Sequence, residues 1–261
     1  MNICQPDRVT LNADIGESHG HFKIGSDSQL LELIQSCNIA CGMHAGDPTV
    51  MHQSISTALK NSVSIGAHPG FNDLWGFGRR AIGMDPTDVR HLVAYQIAAL
   101  KGMAEALGGE VTHVKPHGAL YTMAHVREDY AHAIARAVHD IDDRLLLVSG
   151  HGSLVAVAAA KLNLRVAFEM CADRRYGENG QLISRQSPDA LISDPQLAAQ
   201  QAIDFIRHKG IVTPSGRVIP APIHTICIHG DHPNCIEFAT EVRNALMAAG
   251  IEMVSLPSHF S

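Results

Sequence analysis

The chain has 261 residues, 46% of them hydrophobic and 18% charged, with a formal net charge of −6, which is ample material for a core at a length where α/β barrels are commonly one domain. Its longest basic runs are Arg79-Arg80 and Arg174-Arg175, which argues against a nucleic-acid surface or a polybasic membrane surface. Residues 1–8 lack the apolar stretch of a signal peptide, no run approaches a membrane span, and six scattered cysteines (4, 37, 41, 171, 227 and 235) fit reduced thiols in a cytoplasmic protein.

In chain order, strands are predicted over residues 9–14, 37–44, 63–68, 112–117, 145–150, 165–173 and 225–231, with helical stretches between them. Asp47-Pro48, Asp85-Pro86 and Asp194-Pro195 read as helix starts, aspartate capping and proline at the first helical position. Gly108, Gly210 and Gly250 stand where helices stop. Residues 70–83, with the only tryptophan (Trp75), read as a lid, and residues 211–224 as a β-hairpin excursion. Alternating strands and helices predict parallel strands with helical crossovers. No linker or internal repeat interrupts residues 1–261, so one domain is expected.

Strands buried on both faces of an open parallel sheet should be apolar throughout. Here Val9, Leu11 and Ala13 alternate with Thr10, Asn12 and Asp14, and Ile226 and Ile228 alternate with Thr225, Cys227, His229 and Asp231. Apolar faces under helices and polar faces turned to a shared interior give a closed α/β barrel with a polar lumen. An open doubly wound sheet ranks second.

Barrel sites lie at the carboxyl ends of strands. Those ends carry Asp14 and Glu17, His44 and Asp47, His68, Lys115 and His117, Glu169 and Asp173, and His229 and Asp231. The stretch 113–121 concentrates the chemistry. Strand alternation puts His113, Lys115 and His117 on one face, and Pro116 marks the strand's end. His113 lies deeper and supports the site. Buried near other cations, Lys115 would lose its proton and serve as base or nucleophile. Left protonated, it would bind a carboxylate, phosphate or oxyanion. Asp14, His44 and His68 come from consecutive strands and form a candidate Zn²⁺ or Mn²⁺ set, although no local ligand spacing supports it; a hydrogen-bonded network is the alternative. Asp47 reads mainly as a helix cap, while Glu17 has no cap to make and suits acid or base work. Arg79 and Arg80 would clamp an anion or stand solvated. Cys37 and Cys41 share a strand face with Ile39, so packing explains them. No Walker-type phosphate loop and no Gly-x-Ser-x-Gly elbow occurs; Gly150-His151-Gly152-Ser153 is a weak anion-cradle signal.

Asn12-Ala13-Asp14-Ile15-Gly16-Glu17, residues 38–47, Ile65-Gly66-Ala67-His68-Pro69, Gly76-Phe77-Gly78-Arg79-Arg80, residues 113–121, Ala172-Asp173-Arg174 and Ile228-His229-Gly230-Asp231 together resemble the LamB/YcsF family over about residues 8–256. The resemblance implies an irregular seven-stranded β/α (TIM-like) barrel similar to those of polysaccharide deacetylases. It also implies a subunit of an ATP-dependent 5-oxoprolinase, which opens 5-oxo-L-proline to L-glutamate with ATP and Mg²⁺ and works with two other subunits. Ala13 stands where that family usually has cysteine, which argues against a cysteine nucleophile there. On this reading Asp14, Glu17, Lys115 and His117 are catalytic. Asn12, His44, His68, Arg79, Arg80, His229 and Asp231 bind substrate. Asp14, His44 and His68 remain the metal candidates. A stand-alone metal-dependent deacetylase or amidohydrolase and a non-catalytic lactam-binding subunit are the alternatives.

Overall fold

The computed structural model describes residues 7–185, 187–231 and 234–261, so Cys4 lies outside the described residues. Seven parallel strands close into a barrel: β1 (Arg8–Ile15), β2 (Ser36–Ala40), β3 (Ser64–His68), β4 (Val111–Val114), β5 (Leu146–Gly150), β6 (Val166–Cys171) and, after an antiparallel hairpin of β7 (Gly210–Val212) and β8 (Val218–Pro220), β9 (Thr225–Ile228). Pairing runs from β1 in order to β6, then to β9, and β9 pairs back with β1. A short strand, β10 (Glu252–Met253), extends β1 at its amino end. The helices are α1 (Asp27–Leu30), α2 (Pro48–Lys60), α3 (Pro86–Ala106), α4 (Gly118–Val126), α5 (Glu128–Ile141), α6 (Leu154–Lys161), α7 (Pro195–His208) and α8 (Cys235–Ala248).

Two periodicities build the shell. Along α3, Val89, Val93, Ile97, Leu100 and Ala104 recur at helical spacing and are buried. Along β1, Val9, Leu11, Ala13 and Ile15 belong to the main hydrophobic core, while Thr10, Asn12 and Asp14 on the opposite face are buried too. One buried face is oily and the other polar, as a closed barrel requires. Asp47, Asp85 and Asp194 cap α2, α3 and α7 as expected, each accepting from a first-turn N–H. Cys37 and Cys41 are packed in the core.

Four local readings change. Strand β4 stops at Val114, so Lys115 and His117 lie just past it, and β2 stops at Ala40, four residues before His44. The left-handed residue after α7 is Lys209, not Gly210, which begins β7. The lumen is also not polar throughout. Leu146 and Val148 of β5 and Ala167 of β6 form a separate apolar cluster with Leu256, and Phe260 packs against it. This cluster belongs to the amino-end floor, where Thr10 Oγ1 donates to Val254 O at 2.9 Å. Among the described residues no helix is long and apolar enough to cross a membrane.

Candidate functional site

Above the floor the lumen holds a layer of neutral polar groups. Asn12 donates to Thr225 Oγ1 at 2.6 Å and to Glu169 Oε1 at 3.2 Å. Asn38 donates to Asn12 Oδ1 at 2.8 Å and to Asp14 Oδ1 at 2.9 Å, and its own Oδ1 accepts from His113 Nε2 at 3.1 Å. Burial, then the nearby Lys115 charge, push the His113 imidazole down to about 3, so it is a neutral structural ring. Buried polar groups are costly unless bonded, and here they bond one another across five strands, β1, β2, β4, β6 and β9.

The next layer is charged. Lys115 Nζ lies 2.9 Å from Asp14 Oδ1, 3.0 Å from Glu169 Oε1 and 3.0 Å from Cys227 Sγ, which uses all three of its donors. Burial opposes its charge, but Asp14, Cys227 and Glu169 outweigh burial and hold the ammonium well above the ordinary lysine range. The condition for a lowered pKa, burial among cations, is therefore not met. Lys115 is a saturated cation, not a free amine. Burial likewise works against the Asp14 carboxylate, yet His68 and Lys115 keep it well below the ordinary value.

At the mouth, Glu17, His44, His68 and His117 come together. Glu17 follows a turn in which Gly16 N–H donates to Asp27 at 2.9 Å. Burial, then Asp14, push Glu17 well above the usual carboxylate range. His44 hangs from the loop between β2 and α2, and its ring stacks on His117 with centroids 3.7 Å apart. His68 ends β3 and donates from Nδ1 to Lys115 O at 2.6 Å. His117, at the N-cap position of α4, donates from Nε2 to Phe77 O at 2.8 Å. Burial, assisted by their histidine neighbours, lowers both His44 and His117 well below the ordinary value. Residues 70–83 fold over this group, with Gly78 against His44 and His117.

The rim carries the remaining candidates. His229 Nδ1 donates to buried Asp173 at 2.9 Å. Arg79 pairs with Asp231 at 2.6 Å and lies over the Phe77 ring, and Arg185 approaches the same Asp231 at 4.0 Å. Arg80 is elsewhere. Its largely exposed guanidinium is bound to buried Asp73 within the same loop, with Nε 2.9 Å from Oδ1, so it braces the loop and does not face the lumen group.

Asp14, Glu17, His44, His68, Lys115 and His117 are thus one contiguous set with Asn12 below it, and His229 and Asp231 stand on the rim where β9 adjoins β1. Among the described residues, the His, Cys and carboxylate groups close enough to share an ion are Glu17, His44, His68 and His117, within 4.8 Å, and Cys171, Cys227 and His229. His44 and His68 belong to the first group. Asp14 lies outside it, with Oδ2 3.4 Å from His68 Nε2. Sequence reasoning left out Asn38, Cys227 and Arg185. Asn38 was accessible from alternation on β2; Arg185 lies in an irregular polar loop that gives no periodic signal. A cavity of about 590 Å³ opens beside Glu169 and Cys171, lined also by Tyr121, His125 and Gln181.

Comparison with known proteins is consistent along the chain. The LamB/YcsF family model matches residues 9–260. A protein of Methylococcus capsulatus named as a 5-oxoprolinase subunit is 46% identical over 248 residues, 95% of this chain and 95% of that protein. Its namesake in Pyrococcus abyssi is 42% identical over 95% of this chain and 98% of its own length. The crystal structure of a lactam utilization protein from Thermus thermophilus superposes with a TM-score of 0.90 at 41% identity, covering 95% of this chain and 99% of that one. A deacetylase solved with substrate, at 14% identity and a TM-score of 0.51 over 98% of this chain and 91% of its own, shares the fold alone.

Proposed function

Because the chain belongs to the LamB/YcsF family, we propose that it is the lactam-handling subunit of an ATP-dependent 5-oxoprolinase, opening 5-oxo-L-proline to L-glutamate together with two other subunits. The observation that carries this reading is near-full-length kinship, above 40% identity, with proteins named as 5-oxoprolinase subunits. The buried charged lumen supports it, because amide hydrolysis needs an acid, a base and a fixed charge in a water-poor site.

A lactam is a stable amide, and ATP, carried with Mg²⁺, supplies the phosphoryl group that makes its carbonyl oxygen part of a good leaving group. Mg²⁺ keeps several waters and takes one or two carboxylates. The exposed edge of Asp231, beside Arg79 and Arg185, has the donors for a magnesium polyphosphate. Within the lumen, Asp14 takes a proton from water as the water oxygen bonds to the carbonyl carbon. The carbon–nitrogen bond breaks, the ring nitrogen keeps the electron pair and takes the proton held by Asp14, and the carbon is left as an acyl phosphate, from which a second water displaces phosphate to complete glutamate. Lys115 fixes Asp14 and Glu169 and places a positive charge near the developing oxyanion. His44, His68 and His117 shape the pocket around the ring, Asn12 holds Glu169, and His229 lines the rim.

The test is reconstitution with the partner subunits. Lys115→Met and Asp14→Asn are expected to assemble normally and to lower ATP-coupled glutamate formation by about 100-fold or more. Assembled complexes that keep full turnover would make this a non-catalytic lactam-binding subunit. A second reading, a stand-alone metal-dependent deacetylase or amidohydrolase, is favoured by the histidines at the mouth. Amide hydrolysis by the isolated chain without ATP would select it.

A further inference from the structure

His44 is 1% exposed, and neither of its ring nitrogens has a hydrogen-bond partner. A buried polar group left this way costs about 1–3 kcal/mol. Its two neighbours each hold a backbone carbonyl through one nitrogen and meet each other through the second. His68 donates from Nδ1 to a backbone carbonyl, and His117 donates from Nε2 to another. In a neutral imidazole the remaining nitrogen carries a lone pair. Those two nitrogens, His68 Nε2 and His117 Nδ1, face each other at 3.0 Å. One ring uses its δ nitrogen outward and the other its ε nitrogen, so with both rings neutral a lone pair of each turns to the same point. Glu17 Oε1 lies 3.7 Å from His117 Nδ1 and 3.7 Å from His44 Nε2.

We propose that Glu17, His44, His68 and His117 bind one divalent transition-metal ion, with Zn²⁺ the best match. Three imidazoles and a carboxylate suit zinc, whereas Mg²⁺ and Ca²⁺ take oxygen ligands. Backbone carbonyls holding the outer N–H of His68 and His117 are the usual second contact of metal-bound histidines. Tetrahedral bonds of about 2.1 Å place ligand atoms about 3.4 Å apart. The closest pairs, at 3.0 and 3.7 Å, bracket that spacing. His44 must turn. Its ring lies within 4° of parallel to His117, so the two lone pairs do not yet converge. Rotation about its side-chain bonds breaks no hydrogen bond, since His44 makes none. Asp14 stays outside, held by Lys115 and Asn38. The site does not rest on the lactam reading, and binding is measured without turnover.

The experiment titrates Co²⁺ into chelator-stripped full-length chain and records the visible spectrum, with Zn²⁺ content of the dialysed protein measured alongside. The expected result is one equivalent of four-coordinate Co²⁺ with no thiolate charge-transfer band. His44→Gln and His117→Gln should each weaken binding more than 10-fold with unchanged circular dichroism, and Cys171→Ser should leave it unchanged. Should either variant misfold, Zn²⁺ must still raise the melting temperature of the unmodified chain. Absence of stoichiometric binding, absence of that rise, or a thiolate band abolished by Cys171→Ser would each overturn the proposal, the last by assigning the ion to Cys171, Cys227 and His229.

Discussion

Asn38 sits 1% exposed between β1 and β4 and serves three groups at once, donating to Asn12 and Asp14 and accepting from His113. Asn38→Leu keeps the volume and removes all three bonds, but Asp14 keeps Lys115 and His113 keeps Ser36 Oγ at 3.3 Å, so Asn12 Oδ1 is the group left stranded. An unsatisfied buried group costs about 1–3 kcal/mol, and a loss of that size is expected in urea unfolding at pH 7. An unchanged midpoint and slope would show the network contributes nothing to stability. Sequence alternation could place Asn38 on the inward face with Ser36, but not name its partners, which depend on how β1 and β4 are staggered against β2. Lys115 shows the same limit more sharply. Its burial was legible, while the sign of its pKa shift was not, because the deciding neighbours, Asp14, Cys227 and Glu169, come from β1, β9 and β6.

Local chemistry was more readable for whole elements. The aspartate–proline helix starts needed no tertiary information, and Asp47 holds α2 through Thr49 N–H and Val50 N–H at 2.8 and 2.9 Å. Its other oxygen accepts from Gly20 N–H at 2.9 Å, which ties the loop after β1 to the same helix. Asp47→Ala should cost about 1 kcal/mol in thermal or urea unfolding. The lid was recognised as a long connection, but its seating was not. Gly78 has φ 62°, and a β-carbon there would come within 2.7 Å of His44 Cβ and 2.8 Å of His117 Cδ2. Gly78→Ala should therefore lift the lid from the histidines. A misplacement of about 1 Å near reacting groups can cost about 100-fold, so reconstituted turnover should fall by that order while far-UV circular dichroism stays unchanged. Activity equal to that of the unmodified chain would mean the lid does not seat the site. Strand ends were the least readable feature. His44, Lys115 and His117 continue the strand pattern in sequence, although the ladders stop before them.

For the molecule as a whole, closure was legible from one oily and one polar face on the same strands; the apolar floor was not, because Leu256 reaches it from far along the chain. Closure also concentrates charge, and the pair joining the end of β6 to the end of β9 should set pH stability. Burial would neutralise both partners, but His229 is raised above its ordinary value by Asp173, and Asp173 is held down to about 2 by His229. Arg185 and Cys171 also face His229, with opposite effects. The folded His229 binds its proton more tightly than the unfolded one, so its contribution is complete below about pH 6.5 and fades as pH rises through the raised value. The Asp173 contribution is complete above about pH 4 and is lost as pH falls toward 2. Urea unfolding across pH should show both limbs, and Asp173→Asn should flatten them while costing about 3–5 kcal/mol near pH 6. A variant profile parallel to the original would place the pH dependence elsewhere. The ring has a further consequence in time. Strand β1 needs β9 along one edge, with Thr10 opposite Thr225. That edge stays bare until residue 225 has been synthesised, and a bare apolar edge is a template for pairing with other chains. Contacts so distant also form slowly. The nascent chain is thus most vulnerable to aggregation on the ribosome, and shielding by chaperones matters until the seventh stave arrives.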